Sequence, residues 1–164
     1  MKKWGSKILV CALCLVLALG MIGCQGVNDQ DADIFSIEYD GVTVKLGAKA
    51  EGVIEKLGEP NKEKNAGDCG GLGATIIYEY SDIKLTVVDY KDGDAIIDKI
   101  ELLTDSAETS KGIYIGADKD SVIKAYGEGE SKNGALNYSD RDGEKNMAIG
   151  MKDGKVSYII MYCE

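Results

Sequence analysis

The chain has 164 residues, with 28 acidic against 19 basic side chains, a formal net charge of −9 and no histidine. Such an acidic balance repels nucleic acid and anionic headgroups, so neither is expected as a partner. Without histidine the commonest general base, the commonest metal ligand and the usual pH switch are all missing.

In chain order, Lys2, Lys3 and Lys7 precede an uncharged run from Ile8 to Gly23, the charged-then-apolar order of a secretory signal. The run is 16 residues long, short of the roughly 20 that a membrane-spanning helix needs. It closes on Leu19-Gly20-Met21-Ile22-Gly23-Cys24, which resembles the lipobox read by the lipoprotein signal peptidase, with Met21 where leucine is usual. The resemblance implies cleavage before Cys24, attachment of a diacylglycerol thioether to its sulfur, and a protein held by lipid on the extracytoplasmic face of the cell membrane. Two acyl chains suffice for stable anchoring. Loss of residues 1–24 leaves 16 basic and 28 acidic residues, a net charge of −12. Residues 25–33, polar and acidic, then read as a flexible tether.

From Ile34 the pattern becomes periodic. Phe35, Ile37 and Tyr39 alternate with polar residues, as do Val42, Val44 and Leu46, and Asp40-Gly41 between them predicts a hairpin. Leu46-Gly47, Val53-Ile54, Leu57-Gly58 and Glu59 align with Ile115-Gly116, Val122-Ile123, Tyr126-Gly127 and Glu128 at a constant offset of 69, the signature of an internal repeat. Each copy contains one short amphipathic helix with a glycine after it as the expected C-cap. Asp118 sits where the second helix needs an N-cap, whereas Lys49 occupies the matching place in the first, which also contains Gly52. The first helix should therefore be the frailer.

Downstream of each helix the alternation becomes two-fold. Ile76 to Tyr80, Ile83 to Val88 and Ile97 to Leu103 read as strands in the first copy. Ala135 to Tyr138, Met147 to Met151 and Val156 to Tyr162 do so in the second, with Asp92-Gly93 and Asp153-Gly154 as turns. The expected fold is α+β: two tandem repeats, residues 34–104 and 105–164, each strand, helix and three antiparallel strands, forming a sheet with helices on one face and the other face open. Cys69 and Cys163 remain beyond the anchor. They are the natural pair for a disulfide outside the cytoplasm, with two free thiols or a bond to another chain as the alternatives.

The elements Ile115-Gly116-Ala117-Asp118, Val122-Ile123, Tyr126-Gly127 and Asp153-Gly154-Lys155-Val156 resemble small outer-membrane lipoproteins of the SmpA/OmlA type and the tandem fold of the β-lactamase inhibitory protein. Gly67-Asp68-Cys69, Tyr78-Glu79-Tyr80 and Gly112-Ile113-Tyr114-Ile115-Gly116 are similar to a set of clostridial-type lipoproteins that carries no established activity. The inhibitor resemblance implies two repeats with a continuous curved sheet and a partner on the open side.

Candidate chemistry is sparse. Asp92 and Asp94, Asp118 and Asp120, and Asp140, Asp142 and Glu144 are paired acids, but they stand in turns or at a helix start, where aspartate serves turn and capping hydrogen bonds. The run from Ser139 to Glu144 lacks the ligand spacing of a calcium loop. A nucleophilic cysteine would have no histidine as its base. No catalytic residue, metal site or cofactor is expected, which leaves a noncatalytic binding module for a protein or envelope polymer as the leading reading. An envelope-assembly lipoprotein and a carboxylate-dependent hydrolase are the alternatives. Tyr78 and Tyr80 share one strand face, as do Tyr158 and Tyr162. These four are core if their faces look toward the helices and a binding stripe if they do not.

Overall fold

The computed structural model describes residues 34–68, 73–90 and 93–164. The expected signal segment and tether, with Cys24, Cys69 and Asp92, lie outside the described residues. Elements follow in the order β1 (Ser36–Tyr39), β2 (Val42–Lys45), α1 (Glu51–Leu57), β3 (Lys62–Asp68), β4 (Gly73–Glu79), β5 (Ile83–Tyr90), β6 (Ala95–Leu102), β7 (Glu108–Thr109), α2 (Lys119–Tyr126), β8 (Glu130–Lys132), β9 (Ala135–Ser139), β10 (Lys145–Lys152) and β11 (Lys155–Cys163). They make an eight-stranded antiparallel sheet, β3-β4-β5-β6-β11-β10-β9-β8, and a small sheet, β2-β1-β7. The class is α+β but poor in helix. No helix among the described residues is long and apolar enough to cross a membrane.

All six alternating runs after the helices form strands close to the expected bounds, and the two Asp-Gly hairpins at 40–41 and 153–154 form as well. Asp40 (φ 49°) with Gly41 (φ 74°), and Asp153 (φ 52°) with Gly154 (φ 75°), take the doubly positive φ that a two-residue hairpin demands. Two expectations need correction. Four strands follow each helix, not three, because β3 and β8 each add an edge. Every residue of both is exposed, and an edge strand with one hydrogen-bonded neighbour and no buried side chain needs no apolar alternation. The opening hairpin also joins β7 in the separate small sheet instead of extending the large one.

The core lies between one face of the large sheet and a cover made of both helices and the small sheet. Ile83, Leu85, Ile100, Met147, Ile149, Ile159 and Met161 project from the sheet. They meet Ile37, Val44 and Leu46 of the small sheet and its flank, Val122 of α2, and the half-buried Val53, Ile54 and Leu57 of α1. The halves meet where β6 pairs with β11, Ile100 opposite Met161 and Leu102 opposite Ile159.

A set of backbone hydrogen bonds recurs between the halves. Gly47 N–H donates to Ile97 O, Ile97 N–H to Ala48 O and Ala50 N–H to Ala95 O; Gly116 N–H donates to Val156 O, Val156 N–H to Ala117 O and Lys119 N–H to Gly154 O. Each trio pins the segment before a helix to the last strand of its own half. The helices end alike, with Gly58 N–H on Ile54 O and Gly127 N–H on Ile123 O. A tyrosine hydroxyl then donates to each of those glycine carbonyls, Tyr80 to Gly58 at 3.4 Å and Tyr138 to Gly127 at 3.0 Å.

The helices begin differently. Asp118 accepts the Ser121 N–H at 2.7 Å, a bond that holds its carboxyl below the usual carboxylate range. Ala50 at the start of α1 offers no side-chain cap, and α1 has no fully buried residue where α2 buries Val122. The expected frailty of the first helix thus has a structural basis.

In the second half Tyr126 packs on Tyr138 with ring centroids 5.4 Å apart. Its buried hydroxyl lacks a properly aligned hydrogen-bond partner. Burial pushes that hydroxyl up to about 12, with the nearby Thr109 hydroxyl opposing part of the effect.

Two outcomes follow. Gly52→Ala places its methyl in open space at an ordinary helical position, so it should stabilise the fold by about 0.5–1 kcal/mol in denaturant unfolding, whereas Asp118→Ala should lower the midpoint by removing the cap. Because Tyr126 has a raised value in the folded state, its contribution is fully present below about pH 10 and is lost as pH climbs toward 12, on the order of 2 kcal/mol. Unfolding curves of Tyr126→Phe across that window should lack this part of the alkaline loss.

Candidate functional site

Strand alternation gives the large sheet two faces, and only one is covered. On the open face the register forms a continuous row across all eight strands: Lys62, Glu79, Lys84, Glu101, Ile160, Ala148, Asn137 and Glu130. The half of that row on β3 to β6 is a ladder of long charged side chains. Lys62 meets Glu79 at 2.7 Å, Lys84 meets Glu101 at 2.8 Å, and Lys99 from the neighbouring row reaches Glu101 at 3.5 Å. Lys62 draws the Glu79 carboxyl below its ordinary range. Beyond β11 the face is lined by small residues, Ala148 and Gly150 on β10 and Ala135 on β9.

Between the two halves of the face stands an apolar patch. Leu103, Tyr158 and Tyr162 are 41%, 39% and 37% exposed, the large hydrophobics most open to solvent among the described residues apart from Tyr114. Ile160, half-buried, lies between the two tyrosines. Tyr158 stands opposite Gly150, and a Cβ at Gly150 would overlap the Tyr158 ring. One side of the ring therefore rests on bare backbone. Only glycine lets an aromatic ring lie so low on a strand.

The four tyrosines singled out in the sequence separate into two pairs. Tyr80 is 6% exposed and packs on Tyr39 with centroids 6.3 Å apart, while its hydroxyl secures the end of α1. Tyr78, opposite Leu85, is half-buried against the core. Burial raises both hydroxyls. These two are structural, and Tyr158 and Tyr162 alone lie on the open face. Leu103 was not singled out although the expected strand Ile97 to Leu103 contains it, because alternation puts it on the same face as the charged Lys99 and Glu101.

Cys163 carries a free thiol, and Cys69 lies outside the described residues. Asp68 ends β3, and β4, β5 and β6 stand between β3 and the strand of Cys163. Burial, then Asp98, pushes the Cys163 thiol up, away from the thiolate that reactivity needs.

The paired acids are dispersed among structural duties. Asp94 holds Lys49 at 2.6 Å, Asp118 caps α2, and Asp140 sits in the turn before β10, its backbone carbonyl accepting the Gly143 N–H. No group of three or more acidic or cysteine side chains among the described residues could hold a metal ion. A shallow groove between β2 and α1 is lined by Val42, Thr43, Lys49, Gly52, Val53 and Lys56. At the matching place in the second half Lys111 reaches Ala125 O at 3.1 Å and lies 5.1 Å from the Tyr126 ring centroid.

Comparison with protein-family models, with curated proteins and with solved structures finds no match.

Gly150→Ala should lift the Tyr158 ring off the sheet into solvent. Because the ring is already part-exposed, the cost in unfolding free energy should stay below about 1–3 kcal/mol. The displaced ring should appear as shifted aromatic NMR resonances at Tyr158, with those of Tyr80 unchanged.

Proposed function

We propose that this chain is a lipid-anchored extracytoplasmic lipoprotein that works as a noncatalytic protein-binding module, built from two copies of one unit and docking through the open face of its sheet. The anchor rests on the lipobox-like Leu19 to Cys24 and the short charge-free run before it. The two-copy reading is supported by the constant sequence offset and by the recurrent hydrogen-bond trios, glycine caps and tyrosine contacts of the two halves.

The observation that carries the docking reading is the patch of Leu103, Tyr158, Ile160 and Tyr162 at the centre of the uncovered face. The ion-paired ladder borders it on one side and small residues on the other. Protein interfaces have this anatomy, an aromatic and aliphatic centre inside a polar rim, with tyrosine enriched. A protein partner is favoured over an anionic polymer because the lysines of the ladder are already engaged by Glu79 and Glu101.

Two measurements test the proposal. Cells fed labelled palmitate should label the full chain and not Cys24→Ser. A photo-crosslinking amino acid at position 158 of the full chain should give a protein adduct in living cells, while the same group at exposed position 114, off the sheet, should give none. Absence of any adduct at 158 would remove the docking reading.

A further inference from the structure

We infer that the partner of the open face is a second copy of this chain, packed face to face about a two-fold axis parallel to β6 and β11. This rests on the docking reading above. It answers a difficulty set by charge, since copies of a protein with net charge −9, or −12 without residues 1–24, repel one another across most of their surfaces. The open face is different. Lys62, Lys64, Lys84 and Lys99 stand on its strands against Glu79, Glu101 and Glu130, so this surface carries no excess of negative charge to oppose its own image.

Shape points the same way. Long charged side chains raise the β3–β6 half of the face, and the other half is lower at Ala148, beside the Tyr158 ring that lies flat over Gly150. A rotation about an axis between β6 and β11 lays the raised half of one copy over the hollow half of the next. β5 then lies across β10, which brings Lys84 over Ala148, because both belong to the same cross-strand row. β6 lies across β11, which sets Lys99 over the ring of Tyr162, its neighbour in the register, and Leu103 against Tyr158. Nearest the axis the pairs are thus Lys99 on one aromatic ring, Leu103 on another, and between them Glu101, still held by Lys84 and Lys99, over Ile160. Sheets stacked in this manner cross at about 30°, which displaces the outer strands more than these central ones.

The area is adequate. Seven spacings of about 4.8 Å and strands near 20 Å long give a face of roughly 700 Å², close to the ~800 Å² per partner of an ordinary stable interface. A C2 contact of one patch with itself is also the commonest way that soluble chains associate.

Co-expression of two full-length chains carrying different tags, one with the photo-crosslinker at position 162, distinguishes the possible occupants. A single adduct bearing both tags at twice the chain mass is the expected result. An adduct with a different protein, or a cross-link within one chain to residues 25–33, would overturn self-pairing, and only the former would leave the docking reading standing. No adduct would overturn both.

In parallel, residues 34–164, which contain the whole shared core, should sediment as a concentration-dependent dimer. Tyr158→Glu with Leu103→Glu should weaken it at least ten-fold, and Lys99→Glu should do so less severely while leaving the far-UV circular dichroism of the fold unchanged. A wild-type chain that stays monomeric at millimolar concentration would sink the inference.

Discussion

The antiparallel pairing of β6 with β11 is the contact on which the rest of the structure depends. It merges two four-stranded sets into one sheet and aligns Ile100, Leu102, Ile159 and Met161 on a common buried face. Two short helices could not cover a core for each half separately, since a seven-residue α1 contributes no fully buried side chain. Joined, the halves share one cover of α1, α2 and the small sheet, and the small sheet is itself shared, with β1 from the first half pairing β7 from the second.

That economy leaves one side of the sheet without a lid, and the composition of the two sides follows from it. Residues facing the cover are aliphatic, with tyrosines at its margins whose hydroxyls reach the helix-ending glycines. Residues facing away form the charged ladder, whose central members are only partly exposed: Glu101 keeps 17% of its side-chain surface while engaging both Lys84 and Lys99. Such pairs contribute little net stability in water. Their effect is to neutralise charge around Leu103, Tyr158 and Tyr162, so that an apolar centre sits in locally balanced surroundings on a strongly acidic protein.

The two halves are alike in backbone and unlike in finish. α2 has a side-chain cap, a buried valine and Lys111 closing the gap beside it, whereas α1 has an alanine start, an interior glycine and an open groove. Backbone hydrogen bonds set the common frame, and side chains decide how firmly each helix is held within it.

Much of this was legible in the chain. Asp-Gly at 40–41 and 153–154 located hairpins because few residues accept positive φ twice in succession. Gly58 and Gly127 marked helix ends, and apolar alternation located the inner strands, whose faces differ in burial. β3 and β8 were illegible because an exposed edge strand is specified by its neighbour's backbone and not by its own side chains. Within each unbroken stretch the sequence determined which residues share a strand face, since that follows the two-residue period; the bulges beside Thr86 and Gly150 break that period and bring Ile97 with Ile100, and Val156 with Ile159, onto one buried face. The sequence could not determine which face is covered. Tyr80 and Tyr158 were candidates on the same ground, each sharing a strand face with a second tyrosine, yet one is buried on Tyr39 and the other lies open on Gly150. Only the tertiary structure decided between them, because burial depends on where the helices and the small sheet come to rest against the sheet, a contact between segments far apart in the chain.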